Sequence, residues 1–335
     1  MRKFLTAFLI YGLPLPLLLY SLTVGPSQGL HFADYWDWGR AALAGNVDES
    51  STKLFMINNI IENVRLPRVL LTFIIGAGLA SSGGALQGIF RNPLVDPYVL
   101  GISSGSAFGA ALAIAFPFIN INLAAFALGI VSVILTYSFA FSNKSASIVA
   151  VILSGMIVSG IFTASLTVVQ YISDPYKLQA IVQWTMGNLH HASWDKLNTA
   201  ALPVGAGIGG MCLMRWRLNL LALGEEEAKA VGVNPTADKA ILVCLATLTT
   251  STSVAAAGVI SMYGLFIPHL TRMLVGPDNR RAMPANIFFG GSFLVIIDNF
   301  SRSLMEFEIP IGIFTMLLGA PFFLFLMKKS KINWV

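Results

Sequence analysis

Charge is scarce in this chain. Asp, Glu, Lys and Arg make up 11% of its 335 residues, less than half the roughly 25% typical of soluble domains, which excludes a water-soluble globular fold. Cysteine is almost missing. Cys212 and Cys244 both lie in apolar stretches without metal-type spacing, so a disulfide framework and a cysteine metal centre are excluded and both read as inert core residues. No G-x-x-x-x-G-K-[ST] occurs, so the chain has no ordinary cradle for a nucleotide phosphate. The apolar runs also lack the Asp/Glu/His relay of a proton-driven carrier. Asp298 comes closest, and Arg302 one turn later makes an i,i+4 ion pair the simpler reading.

Apolar length is what the chain has in quantity. Hydrophobic residues reach 56%, and 30 glycines recur in small-residue groups such as Ser81-Ser82-Gly83-Gly84 and Ser103-Ser104-Gly105-Ser106, which suit close helix packing in lipid. The pattern predicts an all-α, polytopic membrane protein, one domain over residues 1–335. Its ten expected spans are 4–24, 66–89, 98–116, 121–141, 148–171, 197–214, 239–257, 259–275, 285–303 and 310–327. The first follows Met1-Arg2-Lys3 and is long enough to be a retained helix rather than a cleaved leader. The weakest separations are at Gly258 and at residues 117–120.

The most informative stretch is 65–97. Arg65-Leu66-Pro67-Arg68 precedes a run from Val69 to Phe90 with no Asp, Glu, Lys, Arg or His, and Arg91-Asn92-Pro93-Leu94-Val95-Asp96-Pro97 follows it. At ~1.5 Å per residue such a run crosses a ~30 Å hydrocarbon core, so both mouths of one helix are chemically marked. The net charge of +5 reflects basic inner loops rather than a nucleic-acid partner. Ten spans put both termini on one side. Placing them in the cytoplasm leaves only Arg40, Lys53, Arg65, Arg68, Lys177, Lys196 and Arg302 of the 21 Lys and Arg outside, in line with the positive-inside rule. The long connections are then 25–65 and 172–196 outside, and 215–238 inside. Within the last, Leu223 to Pro235 reads as a short helix with acids at its start and Gly232 and Pro235 at its end, suited to a partner.

Two other chemistries compete. Gly101-Ile102-Ser103-Ser104-Gly105 matches the G-x-S-x-G nucleophile elbow, the basis of an intramembrane serine hydrolase. It opens an apolar helix here instead of a strand-turn-helix and has no His partner nearby in sequence. His190-His191, between Trp184 and Trp194, could ligate a metal or haem; an interfacial loop is the simpler reading, and His269 reads as structural. An ion-coupled secondary carrier is the third class.

The residues resemble the FecCD-type permeases of binding-protein-dependent ABC importers. Four stretches carry the resemblance: Arg65 to Arg68, Gln87 to Gly101, Gly258 to Pro284, and Glu308 to Phe323. It implies a non-enzymatic subunit of the bacterial inner membrane without a cofactor or metal of its own, working as a homodimer with two ATPase subunits that bind ATP and with a periplasmic binding protein. The resemblance also implies that Arg65, Arg68 and Arg302 receive acidic residues of that binding protein. It places the cytoplasmic gate at Asn92, Pro93 and Leu94 and, in a second loop, at Ser145 and Ser147. Coupling to the ATPase falls to Gly224, Glu225, Glu226, Glu227, Ala228 and Gly232, flanked by Arg280 and Arg281. The expected cargo is a ferric siderophore, with haem, cobalamin or molybdate as alternatives.

Overall fold

The computed structural model describes residues 8–25, 32–44, 52–140 and 148–329, and all regular structure among them is helical. A π-turn at Phe8–Gly12 leads into α1, Pro14–Ser21. Then follow α2, Phe32–Leu43; α3, Thr52–Asn59; and, through a π-helical segment Ile60–Arg65, α4, Leu66–Phe90. A 3₁₀ turn at Pro97–Leu100 precedes α5, Ile102–Ala115; α6 is Ile121–Ala140; α7, Ile148–Ile172; α8, Pro175–Thr185; and α9, Trp194–Leu213. The remainder are α10, Arg215–Leu223; α11, Glu225–Ala230; α12, Pro235–Ala257; α13, Tyr263–Val275; α14, Asn279–Ser303; and α15, Ile311–Lys329.

Each of the ten expected spans falls on one of these helices. Among the described residues, five stretches are long and apolar enough to cross a membrane: Lys53–Phe90, Ile121–Ala140, Val149–Ile172, Pro235–Ala257 and Asn279–Ser303. A sixth is the pair α9 and α10, bent by 56°. Phe8–Ser21, Ile102–Ala115 and Ile311–Phe325 are shorter apolar helices, and α13 has 13 residues. The shortening has local causes. Met262 stands at φ 64° and Gly258 at φ 71°, which delays α13 to Tyr263. Pro97 starts a tight turn before α5.

The expected outer loops are corrected by α2, α3 and α8, and the inner one contains α10 as well as α11. None of the added helices is long and apolar enough to span alone, although α3 runs on into α4 within Lys53–Phe90 and α10 extends α9 across the 56° bend. The cysteines are corrected too: Cys244 is exposed and Cys212 half-buried, on lipid-type helices rather than in the core.

Helix α4 is the pillar of the bundle. Nearly all of it is buried, and α14 lies along it. In lipid, apolar burial gives little drive to association, so helices hold together by close van der Waals fit. Here the fit is made by small residues. A Cβ on Gly83 would land on the Gly264 carbonyl of α13, and one on Gly76 would meet the Gly290 backbone of α14. Two apolar clusters flank this crossing. One, with Leu71, Ile75, Leu79, Tyr263, Leu294 and Ile297, lies toward the N-terminal end of α4. The other, with Leu86, Ile89, Leu100, Leu218, Leu221 and Leu242, lies toward its C-terminal end.

Candidate functional site

The three arginines converge at the N-terminal end of α4, and all three are buried, at 4%, 6% and 3% exposure for Arg65, Arg68 and Arg302. Arg68 donates through Nε to Asp298 Oδ1 and Oδ2 at 3.2 Å each, and through Nη2 to Oδ1 at 2.8 Å. Its Nη1 and Nη2 also reach Glu308 Oε1 and Oε2 at 2.8 and 3.0 Å. Arg302 Nε lies 3.5 Å from Asp298 Oδ2, the expected i,i+4 pair, and its Nη2 donates to the Ser21 carbonyl at 2.8 Å. Arg65 donates to the Leu22 carbonyl at 2.7 Å and Tyr35 Oη at 3.0 Å, with the Tyr35 ring 5.2 Å below its guanidinium. The expectation of three open, outward arginines is thus corrected in one respect: they meet at the rim but are occupied from within. Buried Asp298 and half-buried Glu308 offset the desolvation of Arg68, and Asp298 partly offsets that of Arg302.

Glu308 is the outermost member, with 22% side-chain exposure, and His190 Nδ1 lies 3.3 Å from its Oε1. Burial pushes the Glu308 carboxyl up, but the Arg68 hydrogen bonds and charge, with His190, hold it below the usual range. Burial and the neighbouring His190 and Lys196 charges lower His191. The partnership of Arg68 with Glu308 is invisible in the sequence, because nothing local connects positions 240 residues apart.

At the opposite end of α4, Arg91 closes the helix in the left-handed region, at φ 48° and ψ 33°. Its N–H reaches the Gly88 carbonyl at 3.4 Å and the Asn92 N–H the Gln87 carbonyl at 3.2 Å, a Schellman-type cap in which Gly is the usual occupant. The Asn92 side-chain oxygen accepts from the Leu94 N–H at 2.9 Å. Asp96 caps the 3₁₀ turn by accepting from the Tyr98 N–H at 2.9 Å. The segment expected to form the gate is a turn, with Pro93 and Leu94 exposed at its tip. Ser145 and Ser147, the other expected gate residues, lie outside the described residues. Behind the turn is a cavity of about 230 Å³ lined by Gln87, Gly88, Arg91, Asn92, Arg272 and Asn279, among others.

The residues expected to couple form a compact knob, residues 224–232. Gly224, at φ 149°, breaks the chain between α10 and α11, a conformation that a side chain disfavours. Ala228 is fully buried and seats α11, while Glu225, Glu226 and Glu227 face outward from its first turn. Glu225 pairs with Lys239 on α12, and Glu226 with Lys229 at 2.9 Å. Gly232, at φ 81°, ends the knob before Asn234 caps α12. Arg280 stacks on Trp216 of α10, 5.0 Å from the ring centroid, and Asn219 of α10 donates to Asp278 at 2.7 Å. These contacts bring exposed Arg280, with Arg281 next to it in sequence, alongside α10, the helix before the knob.

Comparison with known proteins decides the family. The sequence profile of the FecCD transport family matches residues 13–329. The chain belongs to the FecCD transport family. It is 43% identical, over 81% of its length and 82% of the relative, to the molybdate import system permease protein MolB of Haemophilus influenzae. It is 38% identical to the hemin transport system permease protein HmuU of Yersinia pestis, over 80% of this chain and 83% of the relative. A solved structure described as an inward-facing conformation of a metal-chelate type ABC transporter superposes with a TM-score of 0.83 at 37% identity, over 96% of this chain and 98% of that one. This FecCD chain is accordingly a multi-pass membrane permease.

In this FecCD chain the competing motifs fall on packing positions. Gly101 to Gly105 is the start of α5, where a Cβ on Gly105 would meet the Leu128 carbonyl of α6, and Ser103 Oγ is buried without a hydrogen-bond partner. Among the described residues no group of three or more His, Cys, Asp or Glu is arranged to hold a metal. His190 and His191 stack edge to face at 5.1 Å, with His190 turned to Glu308.

Proposed function

We propose that this chain is the membrane-spanning subunit of an ATP-driven ABC importer of the bacterial inner membrane, with both termini in the cytoplasm. Two copies form a homodimer around the substrate path. Two separate ATPase subunits bind ATP and seat the α11 knobs, and a periplasmic binding protein docks at the arginine end. The chain itself performs no covalent chemistry and needs no cofactor; ATP-driven movement of α11 rocks the bundle between states open to either side.

The observation that carries this reading is the polarity of α4. One buried helix holds the arginine cluster at one end and the Asn92–Leu94 turn, beside the acidic knob, at the other. Docking then works by exchange. An acidic residue of the binding protein reaches Arg68 by replacing Glu308, its most exposed partner, and such charged contacts steer encounter and fix register.

The cargo is a metal chelate, a ferric siderophore in the first instance. Because named relatives are molybdate, hemin and cobalamin permeases, those three are the comparison substrates. The test is uptake into proteoliposomes containing the chain, its ATPase and its binding protein. ATP-dependent accumulation of one of these cargoes is expected; accumulation by the chain alone, without the ATPase, would instead mark an ion-coupled carrier.

A further inference from the structure

We infer that the cavity behind the Asn92 turn is a binding site for a compact oxyanion, held between Arg91 and Arg272. The inference rests on the permease reading only in placing this end toward the cytoplasm.

The charge balance of the cavity points to an anion. Arg272, half-buried in the last turn of α13, donates to the Gln87 side-chain oxygen. Gln87 is 4% exposed and is itself fixed by donating to the Leu265 and Gly264 carbonyls at 3.1 and 3.3 Å. One amide thus orients the guanidinium and leaves its other N–H groups for the cavity. Among the described residues no carboxylate lies within ion-pair distance of Arg272 or Arg91. This contrasts with Arg68, which meets two carboxylates. A partly buried cation without a counter-charge is costly to keep, and an anion in the cavity would offset that cost.

The nearby acids do not fill the role. Glu225, within electrostatic reach of Arg91, is bound by Lys239. Asp278 is bound by Asn219 and Arg280. Arg91 itself sits in the left-handed region where glycine is the easier residue, and it lines the cavity while staying exposed. Gly88 also lines the cavity, where a Cβ would lie 3.4 Å from Leu218 Cδ2 and 4.0 Å from the Asn279 side-chain nitrogen, so glycine leaves that space to the cavity.

Size selects the ligand class. Roughly 230 Å³ is several times the ~30 Å³ that a water occupies in the liquid. It is below the ~300–1,000 Å³ of pockets for drug-sized ligands. A tetrahedral dianion with some water fits; a bulky chelate does not. Guanidinium forks with amide donors beside them are suited to oxyanions. The same chemistry serves a free oxyanion or a phospholipid headgroup.

The test is equilibrium binding of radiolabelled sulfate to the full chain, purified in a phosphate-free maltoside detergent, with chloride as competitor. Saturable binding that chloride does not displace is expected, weakened tenfold or more by Arg272→Gln and by Arg91→Gln and unchanged by Lys177→Gln. Arg91 is solvent-exposed, so its variant keeps the test decisive if Arg272→Gln misfolds. Displacement of sulfate by added phosphatidylglycerol would identify a headgroup as an occupant of this site; no displacement would identify the free anion. Absent sulfate binding, or equal binding in wild type and both arginine variants, overturns the inference. Absent binding with ATP-driven uptake intact removes this inference alone, whereas binding without uptake by the assembled transporter removes the permease reading alone.

Discussion

Arg68 and Glu308 are 240 positions apart and share two hydrogen bonds, of 2.8 and 3.0 Å, at the rim of the bundle. Arg68 also carries the fully buried Asp298, so one guanidinium joins the start of α4 to the end of α14 and to the segment before α15. Removing it leaves buried Asp298 with only the longer 3.5 Å contact to Arg302. Arg68→Met is expected to destabilise the chain by about 3–5 kcal/mol, and Arg68→Lys by less, since a point charge cannot bridge both carboxylates. Thermal unfolding in detergent measures this. A double-mutant cycle with Glu308→Gln should show coupling of about 0.5–3 kcal/mol; additivity would mean the pair is incidental.

Exchange at Glu308 has a separate consequence. Glu308→Gln keeps the shape of the side chain and removes the charge that competes for Arg68. Binding-protein association, followed by surface plasmon resonance on nanodisc-embedded transporter, should become faster by severalfold at low salt, and the gain should shrink as ionic strength rises. Slower association would place docking elsewhere on this face.

The same carboxylate gives a pH dependence. Glu308 titrates below its ordinary value of 4.5 in the folded chain. A depressed carboxylate adds stability above its unfolded value and loses it as the pH falls through the folded one. Midpoint temperature should therefore be insensitive to Glu308 between pH 7 and 5 and fall below about pH 4.5. Asp174, Asp278 and Glu225 are depressed too. The signature of Glu308 is thus the difference between wild type and Glu308→Gln, which should narrow in acid; a constant difference would count against it.

Much of this was legible in the sequence. The uncharged run from Val69 to Phe90 gave α4 its position, and Gly224, Gly232 and Pro235 marked the limits of the α11 knob, because long apolar runs and helix breakers are local signals. The Asp298–Arg302 pair was readable for the same reason, being one helical turn apart. The partners of Arg68 and Arg65 were not, since Glu308, Leu22 and Tyr35 reach them only through tertiary packing. Helices α2, α3, α8 and α10 are not legible there because each is short and mixes polar with apolar residues, a pattern that reads as loop beside strongly apolar spans. That Arg272 meets Gln87 but no carboxylate among the described residues depends on tertiary packing, which no sequence pattern records.

Packing at the helix crossing predicts a steep size limit. A Cβ at Gly83 would strike the Gly264 carbonyl, and backbone cannot rotate away as a side chain can. Gly83→Ala should cost about 1–3 kcal/mol and lower the yield of monodisperse protein. Gly160→Ala, on α7, meets nothing within 4 Å and should leave yield unchanged and midpoint temperature equal or slightly higher, since Ala is the better helix former. Equal behaviour of the two variants in size-exclusion profiles would show that α4 and α13 do not approach this closely.

The α11 knob is stiffened from inside and charged on its outer face, which separates folding from coupling. Ala228 is buried, and Glu225 ties α11 to Lys239 on α12. Glu226 and Glu227 are exposed on the first turn. Reversing the charge of the two outer acids should leave the permease folded yet weaken a complementary partner surface. Glu226→Arg with Glu227→Arg is expected to release most of the ATPase during co-purification at 150 mM salt, with midpoint temperature within about one degree of wild type, since exposed pairs such as Glu226 with Lys229 contribute little to stability. Glu225→Gln should instead loosen α11 on α12, retain the ATPase, and slow ATP-driven uptake, because movement of the ATPase would no longer pass rigidly into α12. Retention of the ATPase at the wild-type ratio by the double variant would move the contact off this knob, onto α10 or the Arg280–Arg281 turn.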